Sequence, residues 1–272
     1  MKKLLLIILS ATIAVGCSRN AITGRNQLSL IPESQLQQMA VQEYQQFLST
    51  NKVVSATSNK DAEMVRRVGS RIANAITAYY SSDAKVSEQL KSYKWEFNLV
   101  DNKEVNAWCM PGGKVVVYTG LLPIAQNEAA LAIVLGHEIT HAVAGHGGER
   151  MSQAMLAQGL GAVGDAVTSR NAQVNGIFNN VFGLGAQVGV LLPNSRKQEY
   201  EADHLGLLFA AMAGYNPREA IPFWQRMAQA AGSDSKPPEF LSTHPADDNR
   251  IARLQGYMPE ALTYYKPTFF AI

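Results

Sequence analysis

The stretch VLGHEITHAVAGHG, residues 134–147, places polar side chains in an otherwise apolar run. His137, Glu138 and His141 form the pattern H-E-x-x-H. Residues four apart on an α-helix lie about 40° apart around the axis and ~6 Å apart along it, so both imidazoles can reach one metal ion. A glutamate after the first histidine can contact a metal-bound water without binding the metal. The pattern therefore predicts two metal ligands and a general base on one helix.

A buried helix that merely contains histidines is the alternative. Such a helix would need polar partners for two imidazoles and a carboxylate, or it would incur their desolvation cost. His146 is one candidate for a third ligand. The metzincin pattern fails here, however, because the positions of its glycine and third histidine hold Ala144 and Gly147. We therefore expect His146 at a helix end or in a loop rather than on the metal.

A third protein ligand is required because catalytic zinc has three of them and keeps one position open for water. The segment EYEAD, residues 199–203, offers Glu199 and Asp203 on one helix face, while Glu201 points roughly 160° away from Glu199. One carboxylate can bind the ion as the other accepts a hydrogen bond from a ligand imidazole. A solvated acidic helix start is the alternative for this segment.

Helical patterns dominate the chain around these motifs. Residues 127–144 are apolar on nearly every side, which is typical of a central buried helix, and Gly145 would end it. Residues 61–80 carry apolar side chains on one face at helical spacing. Residues 81–92 are polar and indicate a loop or frayed helix. Further helices are expected from Pro32, after Pro193, and over residues 217–231 and 246–255.

Strand patterns lie before the H-E-x-x-H helix. The segment KWEFNLVD, residues 94–101, alternates apolar and polar side chains, as a half-buried strand does. The segment NAWCMPGGKVVVYTG, residues 106–120, holds two strand-like pieces around a turn at residues 111–113. Together these patterns predict an α+β fold that is mostly helical, with a small β-sheet beside the H-E-x-x-H helix.

Residues 151–192 are rich in glycine and alanine, and the span 171–195 contains no charged residue. Asparagines, glutamines and glycines within that span argue against a membrane-spanning helix. We expect a helical hairpin here that lies over the domain and over any cleft.

The first residues, MKKLLLIILSATIAVGC, are typical of an export signal, with a basic start and a short apolar core. The apolar run is shorter than the ~20 residues that span a bilayer; an uncleaved anchor helix is the alternative. Cys17 follows Ala14, Val15 and Gly16 and resembles a lipobox cysteine, which predicts lipidation at Cys17. Ser18 in place of an aspartate favours the outer membrane. We therefore expect a bacterial cell-envelope protein that is lipid-anchored and faces the periplasm.

Composition limits the remaining possibilities. The formal net charge of +2, without a long basic run, excludes nucleic acid as an expected partner. If Cys17 is lipidated, only Cys109 remains and no disulfide can form within the chain. Cys109 is then expected as a small apolar strand residue rather than as a nucleophile.

The two motifs in order, H-E-I-T-H and then E-Y-E-A-D, resemble those of the gluzincin metallopeptidases. More narrowly, the chain is similar to the family of the CAAX prenyl protease, the heat-shock protease HtpX and bacterial envelope lipoprotein peptidases. VNAWCMPGGKVVVYTGLL resembles the strand pair before the active helix of that family, and HAVAGHGGERMS and THPADDNRIARL match further landmarks. The resemblance covers about residues 20–256 and favours a soluble, lipid-anchored branch.

The resemblance implies peptide hydrolysis assisted by one Zn²⁺ per chain. His137, His141 and Glu199 would bind the ion, Glu138 would act as general base, and Asp203 would orient His137. Asn106 and Ala107 resemble the edge-strand segment that aligns substrate as an extra strand in that family.

His244 and Arg250 lie in the landmark THPADDNR, and two interpretations stay open for them. His244 could stabilise the oxyanion or visit the zinc as a gate, with Arg250 beside it at the cleft. Alternatively, His244 only begins a helix, and Arg250 pairs with Asp247 or with another carboxylate.

The predicted organisation is a lipoprotein signal peptide (1–16), a tether (17–32), a zinc metallopeptidase domain (33–258) and a C-terminal tail (259–272). The predicted function is that of a zinc-dependent metalloendopeptidase in cell-envelope protein quality control, acting on unfolded or misassembled envelope proteins. The alternative is a zinc-bound, latent chaperone or assembly factor of the envelope, with the span 171–195 covering the site. A purely structural zinc is weaker, because structural sites usually close with Cys or His ligands.

Overall fold

The computed structural model describes residues 16–160, 172–182, 193–233, 238, 240–241, 244 and 249–267. The strands are β1 (Cys17–Arg19), β2 (Asn26–Leu28), β3 (Val53–Val54), β4 (Glu96–Val100), β5 (Ala107–Met110) and β6 (Lys114–Tyr118). The helices are α1 (Glu33–Thr50), α2 (Lys60–Tyr79), α3 (Ala84–Lys91), α4 (Leu122–Ala125), α5 (Glu128–Val143), α6 (His146–Ala157), α7 (Ala172–Phe182), α8 (Pro193–Met212), α9 (Ala220–Ser233) and α10 (Arg250–Tyr264). The predicted α+β class, mostly helical with a small sheet, is confirmed.

The larger sheet has the strand order β3-β4-β6-β5. Its central strand β6 runs parallel to β4 and antiparallel to β5, and all of its residues are buried. Val115 and Val117 of β6 join one apolar cluster, while Val116 and Tyr118 join another. Side chains alternate across a strand, so this sheet divides the protein into two apolar layers.

The two layers differ in size and composition. The larger one packs α2, α5, α8 and α9 against one sheet face, and the smaller one packs α1, α6 and α7 against the other face. Helices cover both faces of the sheet. Strand β5 lies at one edge of the sheet and, within the described chain, pairs with β6 only. The H-E-x-x-H helix α5 packs directly beside β5.

Helix α5 is buried along nearly its whole length, so its terminal backbone groups need partners from other elements. At its start, the Asn127 side chain accepts a hydrogen bond from the Ala130 N–H. At its end, the side chains of Asn20 and Gln89 both donate to the Val143 carbonyl. Gly145 then adopts φ +68°, and the chain turns directly into α6.

Helices α5 and α8 form the most extensive helix contact in the described structure, and they touch through glycines. A Cβ atom on Gly136 would lie 2.4 Å from the Gly206 carbonyl oxygen. A Cβ on Gly206 would lie 2.6 Å from the His137 backbone nitrogen. Only glycine permits this backbone approach, which brings the H-E-x-x-H motif next to the EYEAD motif.

Several segments differ from the sequence-based expectations. Residues 81–92 contain the helix α3, because Asp83 caps its first turn and Val86 and Leu90 are buried. The segment predicted as a tether, 17–32, contains the paired strands β1 and β2, and β2 packs on α6. The last helix starts at Arg250 and runs beyond the boundary predicted at residue 258, because Ala261 packs into the larger layer.

Other expectations fall partly outside the described residues. Of the predicted signal peptide, only Gly16 is described. Of the predicted hairpin over the cleft, α6 and α7 are described and pack on each other, but the segments 161–171 and 183–192 are not described. Within the described ranges, no helix combines the length and apolarity needed to cross a membrane.

The glycine contact predicts that Gly206→Ala lowers the free energy of unfolding by about 1–3 kcal/mol, because the added methyl group overpacks the α5–α8 contact. The matched control is Gly256→Ala, where a Cβ meets nothing within 4 Å in an exposed helical position. That control should gain up to about 1 kcal/mol from helix propensity. Urea unfolding would measure both, and equal midpoints would contradict the close contact.

Candidate metal centre

Four buried side chains converge between α5 and α8: His137, His141, Glu199 and His244. Each offers a ligand atom, and these atoms all lie within 4.8 Å of one another. The two imidazole Nε2 atoms of His137 and His141 are 3.1 Å apart. The Glu199 carboxylate oxygens lie 3.2 Å from His141 Nε2 and 3.3 Å from His137 Nε2.

These spacings fit one zinc ion. Zn–N and Zn–O bonds of about 2.0–2.1 Å in a tetrahedral site separate the ligand atoms by roughly 3.3 Å. The observed separations among the three predicted ligand groups are 3.1, 3.2 and 3.3 Å. Two imidazole nitrogens and one carboxylate are also a typical ligand set of catalytic zinc. The donor set therefore fits a single Zn²⁺ held by His137, His141 and Glu199.

Asp203 lies one helical turn after Glu199 and supports His137 from behind. Its Oδ1 is 3.0 Å from His137 Nδ1 and accepts a hydrogen bond of 2.6 Å from Arg250 Nη2. This contact directs Nε2 of His137 toward the cluster. The Arg250 guanidinium also lies over the Trp224 ring, 3.4 Å from its centroid.

Arg250 borders the cluster as well as Asp203, since its Nη2 lies 3.4 Å from His137 Nδ1. Its closest approach to Glu199 is 3.8 Å. This placement favours the interpretation in which Arg250 pairs with a carboxylate and acts as a positioning residue. The carboxylate is Asp203; Asp247, considered from sequence, lies outside the described residues.

The Glu138 side chain extends from α5 toward His244. Its carboxyl group is buried, and Oε1 has no hydrogen bond within the described structure, although His244 Nε2 lies 3.3 Å away. Burial raises the pKa of Glu138, against the opposing influence of the neighbouring histidines. A raised pKa suits a carboxyl group that takes up a proton and passes it on.

His244 occupies the space between the ligand groups and Glu138. Its Nδ1 is 3.1 Å from His137 Nε2 and 3.1 Å from Glu199 Oε1. The sequence placed His244 near the cleft but left its role open. In the structure it joins the cluster as a fourth possible donor.

His146 and Glu201 form a second layer that the sequence did not reveal. His146 is fully buried but lies behind His141, with their Nδ1 atoms 2.9 Å apart. Its Nε2 is 2.8 Å from Glu201 Oε2. The sequence did contain one indication of this contact: His141 and His146 are five residues apart with Gly145 between them. The turn at Gly145 after α5 folds His146 back onto His141.

The predicted substrate-binding residues lie at the sheet edge. Ala107 begins β5, which pairs with β6 on one side only within the described chain. Asn106 precedes it and accepts a backbone hydrogen bond from Tyr118. Strand β5 packs beside α5. Contact of Asn106 and Ala107 with substrate stays a prediction.

The two cysteines are free, and only Cys17 is exposed. Burial raises the pKa of the Cys109 thiol, which disfavours the reactive thiolate. Lipidation of Cys17 stays a prediction, because no contact of its thiol bears on it.

The chain matches Peptidase family M48 over residues 59–258. It is 33% identical over 208 residues to the "Mitochondrial metalloendopeptidase OMA1" of Schizosaccharomyces pombe, covering 73% of this chain and 59% of the relative. It is 30% identical over 246 residues to the human "Metalloendopeptidase OMA1, mitochondrial", covering 89% and 46%. It is 34% identical over 164 residues to the "Beta-barrel assembly-enhancing protease" of Yersinia pestis, covering 58% and 33%.

These comparisons correct part of the sequence interpretation. The prediction of a bacterial cell-envelope location, lipid-anchored at the outer membrane, is wrong, because the fungal and human relatives carry mitochondrial names. That prediction depended on the N-terminal leader and Cys17, which lie outside the segment that matches the family. The narrower likeness to the CAAX prenyl protease and HtpX is not shown either, since these relatives bear other names.

The chain spans between a third and about three fifths of the length of these relatives. The family match, by contrast, covers most of this chain and includes both ligand-bearing helices and the sheet. The chain therefore belongs to Peptidase family M48, a family of gluzincin metallopeptidases.

Proposed function

We propose that this protein is a zinc-dependent metalloendopeptidase. The observation that carries the proposal is the buried convergence of His137, His141 and Glu199 at zinc-ligand spacing, with the Glu138 carboxyl group beside it. The family membership and the metalloendopeptidase names of the relatives support the same activity.

His137, His141 and Glu199 would hold the zinc, which would supply Lewis-acid chemistry: polarisation of the scissile carbonyl and a lower pKa of the attacking water. Glu138 accepts the proton from that water and delivers it to the leaving amine, so the peptide bond is exchanged for a carboxyl and an amino group. Asp203 keeps His137 oriented, and Arg250 keeps Asp203 in place. The burial of these side chains strengthens their electrostatic interactions.

The proposed substrates are polypeptides. Within the described chain β5 pairs only with β6, so the Ala107 backbone faces the other edge, where its N–H donates to the Asn106 side chain at 2.9 Å. An extended peptide can add there as a strand, beside the H-E-x-x-H helix. Backbone hydrogen bonds do not depend on particular side chains, so this mode of binding suits unfolded or misassembled proteins. The proposed role is therefore protein quality control.

A second candidate function is a zinc-bound, latent chaperone or assembly factor. The position of His244 favours this candidate. Its Nδ1 lies 3.1 Å from His137 Nε2 on α5 and 3.1 Å from Glu199 Oε1 on α8, so His244 could act as a fourth zinc ligand and occupy the position that water needs.

The variant His244→Gln separates the two candidate functions. Cleavage of unfolded casein should rise if His244 blocks the site, and it should fall if His244 stabilises the oxyanion.

Glu138→Gln should keep one zinc per chain but lose about 10²–10⁴-fold in peptide cleavage, because glutamine fills the same space without accepting the proton. Elemental analysis and hydrolysis of unfolded casein would measure the two properties. Glu88→Gln is the matched control, since Glu88 is 82% exposed on α3 and should leave both unchanged. Retained proteolysis in Glu138→Gln would refute the proposed mechanism.

Asp203→Asn should lower zinc affinity by about 10–100-fold, because the uncharged amide holds His137 and Arg250 less firmly. Competition with a chromogenic chelator would measure the affinity. The control is Glu260→Gln, which alters a carboxylate bonded at 2.6 Å to the surface histidine His204. Equal losses in the two variants would show that Asp203 has no special relation to the metal.

A further inference from the structure

The N-terminal hairpin, residues 16–30, lies outside the part of the chain that matches the family, yet it packs at the end of the H-E-x-x-H helix. The Asn20 side chain donates to the Val143 carbonyl at 3.2 Å, and the Leu30 N–H donates to Ser152 Oγ at 2.9 Å. The hairpin therefore holds the junction of α5 and α6.

Arg25 extends from this hairpin between α6 and α8. Its guanidinium forms a two-pronged ion pair with Glu149 of α6, at 2.8 and 2.7 Å. Its Nε donates to Glu201 Oε2 of α8 at 3.3 Å. The Arg25 side chain is only 15% exposed. One cation thus holds two carboxylates from different helices, which would otherwise repel each other.

Glu201 connects Arg25 with the metal ligands, because its carboxylate contacts both Arg25 and His146. A carboxylate only accepts hydrogen bonds, so the 2.8 Å contact makes His146 Nε2 the donor. In a neutral imidazole the other nitrogen is then an acceptor, and His141 Nδ1 must donate to His146 Nδ1 across 2.9 Å. This tautomer leaves the Nε2 lone pair of His141 free and directed at Glu199 and His137.

We infer that Arg25 is a positioning residue for the metal centre: it holds Glu201 against His146, and His146 fixes His141 in its metal-binding tautomer and orientation. The inference rests on the proposed zinc site. His137 is held directly by Asp203, whereas His141 is held through two side chains and the N-terminal hairpin. The hairpin therefore supports the metal centre through Arg25.

The first test measures the zinc affinity of the chelator-stripped full chain by competition. Arg25→Gln should bind zinc about 10-fold more weakly, the lower end of the effect of residues that support metal ligands. Arg19→Gln is the matched control, since this exposed hairpin arginine bonds only the nearby Gly24 carbonyl among described groups and should keep the wild-type affinity. Arg25→Lys keeps the charge without the fork and should give an intermediate affinity even if Arg25→Gln folds poorly.

Two further readouts separate positioning from simple stabilisation. The visible absorption band of the Co²⁺-substituted protein should change in Arg25→Gln, because the His141 ring is held less firmly. In double variants, Arg25→Gln and Glu201→Gln should lose less zinc affinity together than the sum of their single losses, whereas Arg25→Gln and Asp203→Asn should be additive.

Unchanged zinc affinity and an unchanged cobalt spectrum in Arg25→Gln, with only a lower melting temperature, would overturn the inference and leave Arg25 a purely structural residue. Additive losses for Arg25→Gln and Glu201→Gln would also overturn it. Zinc binding by the parent without peptide cleavage would refute the proposed peptidase while leaving these affinity tests decisive. A parent that binds no zinc would overturn both.

Discussion

The backbone contact between Gly136 and Gly206 is the constraint on which the rest of the site depends. It lets α5 and α8 approach until a Cβ on either glycine would overlap the other helix. His137 follows Gly136 directly, and Glu199 and Asp203 lie two turns and one turn before Gly206, respectively. Zinc-ligand spacing across two helices is possible only at this short distance, because imidazole and carboxylate side chains have limited reach.

The close approach also buries several charged groups, and each has a structural answer. Asp203 is paired with His137 and Arg250, and Arg250 stacks on the Trp224 ring. A buried charge without such partners costs several kcal/mol. Arg250 Nε and Nη1 and Glu138 Oε1 lack hydrogen bonds among the described groups, but the Arg250 guanidinium lies over an aromatic ring, whereas Glu138 Oε1 faces the ligand cluster. A poorly satisfied carboxyl group in a polar cluster marks the position where chemistry, rather than stability, determines the residue.

The two histidines on α5 that are proposed as metal ligands are supported in different ways. His137 faces α8, where Asp203 is within direct reach. His141 lies one turn later, at the end of the helix, where the chain turns back at Gly145 and places His146 behind it. That end of α5 depends on the N-terminal hairpin, through Asn20 and Arg25. The family-matched segment alone therefore does not contain all of the contacts around its metal centre.

The sequence by itself determined the features that depend on local spacing. The H-E-x-x-H helix, the alternating strands around it and the mostly helical α+β class follow from periods of 3.6 and 2, which neighbouring residues express without help from distant ones. The positions of His244 and Arg250, the pairing of His146 with Glu201 and the docking of Arg25 were decided only by the tertiary structure. These contacts join residues from 45 to 176 positions apart, apart from the His141–His146 pair. Chain spacing cannot predict such contacts, because helix packing and turn geometry set which distant side chains meet.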